Sequence, residues 1–191
     1  MRVFIIVLVL VFSFQSLTTA NDIKDFEIEG MSIGDSLLDH FSEEEINNAR
    51  WYDGFKNKKF TNIEIFESDI LKQYYSYHFL FKTNDKSFEI YGLTGTILFA
   101  NDITNCLKKL SEIDSEIFPL LKDYKREKNN LDHAADPSGK SKIINILYSF
   151  DSGAQIAIEC YDWSQEMRYS DHLRVSVFSQ DFAYFINNEA Y

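Results

Sequence analysis

The chain has 191 residues, a formal net charge of −11 and two cysteines, Cys106 and Cys160. Such an acidic chain is a poor partner for nucleic acid or for an anionic membrane surface, because both repel negative charge. Two cysteines alone cannot make a zinc site, and nothing near them in the sequence completes one; a chain this long buries roughly 70% of its unfolded surface and needs no staple to fold.

Residues 1–20, MRVFIIVLVLVFSFQSLTTA, have the layout of a cleaved secretory signal: Arg2, an apolar run from Val3 to Phe14, and small residues Thr18 and Ala20 before a cut at Asn21. The run is shorter than the roughly 20 residues that span a bilayer. No other segment is apolar enough, so the protein from Asn21 onward is expected to be periplasmic or secreted, with no stable membrane insertion. In an exported protein a cysteine pair suggests one disulfide, Cys106–Cys160; two buried free thiols are the alternative.

Residues 21–31 read as irregular. Ser32 with Asp35, then Ser42 with Glu45, resemble two capping boxes. Ile33, Leu37, Leu38 and Phe41 fall on one helical face, so two consecutive short helices are predicted. The acids of Glu29 to Ile46 are then first-turn residues favoured by the helix dipole, not a metal or acid–base site. Asp39 and His40 fall between the helices and are expected to be exposed.

WYDGFKNKK reads as a turn. KFTNIEIFE and QYYSYHFLFK alternate with period two and read as strands, the second with Tyr75, Tyr77, Phe79 and Phe81 on one face. SFEIYGLTGTILFA reads as a third strand, with a bulge or bend at Gly92 and Gly95. A helix with Asn101 as cap follows, burying Ile103, Leu107, Leu110, Ile113 and Ile117 and ending near Pro119.

Residues 122–141 read as a polar surface loop. KIINILYSF, AQIAIECYDW and LRVSVF are then strands, SQEMRYSDH a loop, and SQDFAYFINNEAY a terminal helix capped by Ser179. The order ααβββα–βββα predicts a single α+β domain over 21–191, an antiparallel sheet with a long helix packed across a face. It also reads as two βββα halves joined by loop 122–141. FANDITNCL and FSQDFAYFI align at the ends of those halves, which raises an ancient duplication.

ADPSGKS, Ala135 to Ser141, mimics a phosphate loop. It lacks the strand before and the helix after that such a loop needs, and reads as a turn. No cofactor or metal is implied. The histidines show no metal-ligand spacing, and no Gly-x-Ser-x-Gly elbow is present. A hydrolase would have to use His133 or His172 beside a nucleophile. The stretch ECYDWSQEMRYSDHLRVSV gathers Tyr161, Trp163, Met167, Arg168, Tyr169 and His172, and the Trp, Tyr, Met and Arg among them are the residue types that dominate interfaces.

The opening GMSIGDSLLDHFSEEEI and the closing LRVSVFSQDFAYFINNEAY resemble the corresponding ends of a family of small exported bacterial proteins of unassigned function. That resemblance implies a shared fold and export, and it brings no activity. Gly30–Met31 with the helix pair is also similar to the start of small outer-membrane assembly lipoproteins, although no lipid-bearing cysteine stands near the cut. The reading that follows is an exported interaction module without catalysis, with a protein partner in the envelope. The alternatives are a small-molecule carrier or sensor with a pocket between the long helix and the sheet, and a hydrolase.

Overall fold

A computed structural model describes residues 22–52, 54–66 and 71–190; the predicted signal segment lies outside them. The chain is mixed α+β. Its strands are β1 (Arg50–Tyr52), β2 (Phe60–Phe66), β3 (Ser76–Lys82), β4 (Gly92–Ala100), β5 (Lys125–Asp132), β6 (Lys142–Ser149), β7 (Gln155–Asp162) and β8 (Asp171–Phe178). They form one antiparallel sheet in the order β1-β2-β3-β4-β8-β7-β6-β5. The α-helices are α1 (Glu43–Asn48), α2 (Ile103–Ile117) and α3 (Gln180–Asn188). No helix among the described residues is long and apolar enough to cross a membrane.

Directly paired residues of antiparallel strands share a face, and neighbours along a strand alternate. One face therefore carries Ile63, Tyr77, Phe79, Leu93, Val175, Ile158 and Cys160, all buried. Two covers close it. Over the β2–β4 half lies the N-terminal segment, which buries Ile28, Met31, Leu37, Phe41 and Ile46. Over β7 and β8 lies α2, tied to β7 by a Cys106–Cys160 disulfide. Asp114 of α2 accepts from Tyr148 of β6 (2.6 Å) and from Nε of Arg126 of β5 (2.9 Å), so the helix also holds the sheet's far edge.

Several sequence expectations are corrected. The Ser32–Phe41 helix is replaced by turns and a single 3-10 turn at Leu37–Asp39. The backbone here bonds to the 88–90 segment: Gly34 and Leu37 donate to Ile90 and Phe88, and Ile90 donates to Asp35. Tertiary hydrogen bonds thus displace the local helix, and Gly34 has φ +95°, outside helical geometry. Leu38, assigned to the buried stripe, is exposed. The capping box of Ser42 and Glu45 does start α1.

Trp51 and Tyr52, taken as a turn, belong to β1. Eight residues of the 122–141 loop, Lys125–Asp132, are strand β5, paired along its whole length with β6. Its sequence KREKNNLD has little apolar content because an edge strand has solvent along one side, and charge there discourages further pairing. Each half thus has four strands rather than three. The order is not ααβββα–βββα, and no long helix spans the sheet. At fifteen residues α2 is about 22 Å long, whereas eight strands are about 34 Å wide.

The cap of α2 is Asp102 rather than Asn101. Neither Gly92 nor Gly95 makes a bulge; the register shifts between Leu98 and Ala100. Gly95 instead lets the Tyr74 ring lie against the strand, since a Cβ there would sit 2.6 Å from it. The aligned Phe99 and Phe178 pack into separate clusters, Phe99 with the closed face and Phe178 with α3 on the other.

Candidate functional site

The second face of the sheet is only partly covered. Phe182 and Phe185 of α3 pack with Phe60, Leu80 and Phe178 at one end. Beyond that row the same strands present polar side chains. One row runs Glu64, His78, Thr94, Ser176; the next runs Ser76, Thr96, Arg174, Glu159, Asn145, Asn129. The apolar-in, polar-out alternation of strands such as LRVSVF puts them there.

Glu64 anchors one end of the band. It accepts from the Tyr52 hydroxyl, and His78 Nε2 lies 3.4 Å from Oε1. Burial works against its charge, but hydrogen bonds from His78, Tyr52 and Ser76 outweigh that and hold the carboxyl at about 2. Tyr52, buried beside this anion, is pushed up to about 12. Thr94 and Ser176 bond each other across β4 and β8 (2.9 Å). Glu159 accepts from Asn145 (3.4 Å) and Tyr161 (3.2 Å).

At the other end is an aromatic corner. Tyr161 stacks on His172 (4.5 Å between centroids, planes 10° apart), and Arg174 lies over the Tyr161 ring, 4.9 Å from its centroid. Trp163 packs against His133 (4.2 Å) and Tyr169 (4.8 Å). The loops are fixed by Asp136, which accepts from Ser141 (2.6 Å) and Ser164 (3.0 Å), while Asp171 accepts from the Trp163 backbone N–H (2.9 Å). Hydrogen bonds from Ser138 and Ser141 hold the Asp136 carboxyl far below its usual value. The ADPSGKS segment is therefore a structural knot under the corner.

Burial, reinforced by the Arg174 charge, lowers His172 to about 4, so it is neutral at pH 7. Its Nδ1 lies 2.9 Å from the Ser170 carbonyl oxygen and must carry the hydrogen. Nε2 is then a bare acceptor, buried and without a partner. Trp163 Nε1, Arg174 Nε and Thr96 Oγ1 are also buried without partners. Buried polar atoms are nearly always paired in folded proteins; among the described residues Asn62 Oδ1 on this face, Glu29 Oε2 and Thr83 Oγ1 are also unpaired, but these four are the ones gathered on the part of the face that α3 does not cover.

Of the residues singled out in sequence, Tyr161, Trp163 and Tyr169 come together in this corner. Met167 and Arg168 do not join the rings among the described residues; Met167 ends a 3-10 turn and Arg168, at φ 58°, is its exposed cap. Sequence reading missed Arg174, Thr96 and the Glu64–His78 pair, although strand alternation puts each on the polar face. Among the described residues neither candidate hydrolase histidine is hydrogen-bonded to a nucleophile: His133 Nδ1 accepts from the Ala135 backbone N–H, and His172 Nδ1 is taken by the Ser170 carbonyl. No group of three metal-ligating side chains occurs among the described residues.

Between α2 and the closed face is an apolar cavity of about 40 Å³, lined by Ile113, Ile117, Ile156, Val175 and Val177 and by the N-terminal segment. Comparison of the chain with known protein families, curated proteins and solved structures finds no match to any of them.

Proposed function

We propose that this is an exported interaction module without chemistry of its own, periplasmic or secreted, which docks a protein partner on the open face of its sheet. The observation that carries this reading is the aromatic corner with its four orphaned polar atoms. Rigid aromatic side chains give large contact area at low entropic cost, and unpaired buried groups are satisfied when a partner arrives. Export is supported by the signal-like residues 1–20 and by the Cys106–Cys160 bond, which suits an oxidising compartment.

The carrier reading places its ligand in the cavity under α2. Roughly 300 Å³ is the lower bound for a typical ligand site, and the 40 Å³ here admits only a few waters. The docking reading is therefore favoured. In its test, tagged wild-type protein and the Trp163→Ala variant are used to capture binders from the native envelope fraction. Wild type is expected to retain a near-stoichiometric partner that Trp163→Ala loses, with unchanged circular dichroism. Global unfolding of the variant would make Trp163 a core residue and remove the site.

A further inference from the structure

We propose that Arg174 and its neighbours receive a carboxylate from an acidic segment of the partner protein, an assignment that rests on the open face being the docking surface. The other half-buried cations of the sheet have acids of their own: Arg126 pairs with Asp114, Lys82 with Asp181 and Lys142 with Asp132. Among the described residues Arg174 has no ion pair, and its Nε–H is buried with no acceptor. The acid directly across the ladder, Glu159, has its two oxygens on Asn145 and Tyr161 instead. The guanidinium lies over the Tyr161 ring, 4.9 Å from its centroid.

A planar guanidinium held in this way matches a carboxylate with two parallel N–H···O bonds. Trp163 Nε1 is a second unpaired donor in the same corner, while His172 Nε2 is an unpaired acceptor. A small, fully ionised anion offers acceptors alone and leaves Nε2 unsatisfied. An aspartate or glutamate within a chain brings carboxylate oxygens and a backbone N–H together, and this mixed set favours a peptide. The oxygens of Asp171 and Glu159 are already engaged by the Trp163 backbone N–H and by Asn145 and Tyr161, so neither acid takes up the Arg174 fork.

The test is a titration of the chain from Asn21 onward, followed by two-dimensional 1H–15N spectra. The probes are an end-blocked tetraglutamate peptide and, in parallel, glutarate. The Arg174 Nε–H and Trp163 Nε1–H signals are expected to move together and saturably with the peptide. Glutarate and the Arg174→Gln variant should each lose at least roughly tenfold in affinity, the scale of one charged hydrogen bond. Arg174→Lys, which keeps the charge and loses the fork, should fall between, and it preserves the test if Arg174→Gln does not fold. Exposed Lys108→Gln should change nothing. The assignment is overturned if the peptide gives no saturable shift, if Arg174→Gln binds as wild type does, or if glutarate binds as tightly as the peptide. Envelope capture separates the two claims. A partner lost by Trp163→Ala but kept by Arg174→Gln overturns the carboxylate and leaves the docking face; no partner with wild type removes the docking face itself.

Discussion

On strand β3, Tyr77 and Phe79 point to one face of the sheet and are fully buried, whereas His78 between them points to the other and meets Glu64 and Tyr52. The same alternation runs through β4, β7 and β8. The closed face is finished by the N-terminal segment, α2 and a disulfide. The open face is finished over one row by α3, and beyond that row it keeps orphaned polar atoms. Apolar area buried on one side stabilises the fold, so the other side is free to carry groups that do not.

The contrast is broken most sharply by Phe79→Ala, expected to cost roughly 3–5 kcal/mol in denaturant unfolding as a large core truncation. A loss under about 1 kcal/mol would mean that the face is not the core. Replacing both Cys106 and Cys160 by Ala should cost about 4 kcal/mol on the chain-entropy argument for a sequence separation of 54 residues. Mass spectrometry with and without reductant checks the bond first. If the double variant unfolds like wild type, the disulfide is not what fastens α2 over that half of the sheet.

Acid should act through the open face. The folded pKa of His172, about 4, lies below its ordinary 6.5, so the unfolded chain binds the extra proton first and stability falls as pH drops from 6.5 towards 4. Glu64 follows lower down: its stabilisation is present above its ordinary 4.5 and is lost as pH falls towards about 2. Thermal unfolding across pH 7 to 2 should show both steps, with His172→Phe shrinking the upper one, to which His133 also contributes, and Glu64→Gln the lower one, to which Asp136 also contributes. An upper step undiminished in His172→Phe would assign it to another group. Against these losses, Trp163→Ala should change folding little and binding most.

Much of the layout is readable in the residues. Period-two alternation gives β2, β3, β4, β6, β7 and β8. Ser42 and Ser179 mark helix starts, and Asp102, one residue past the predicted Asn101, marks the third. Tyr161, Trp163 and Tyr169 stand out by composition. What was not readable depends on partners far along the chain. KREKNNLD has no apolar period, and it is a strand because β6 supplies every hydrogen bond along one side and Asp114 of α2 holds Arg126. Ser32–Phe41 has a helical period, yet it follows the 88–90 segment because those backbone bonds replace the helical ones.

The sequence by itself determined the alternation, the caps and the aromatic content, since these are properties of neighbours within a turn or a strand. Only the tertiary structure decided that Arg174, Thr96, His172 and Trp163 meet on one face with atoms left unpaired. Their meeting depends on β4 and β8 lying side by side at the centre of the sheet, a pairing of residues about 80 positions apart that no local pattern records.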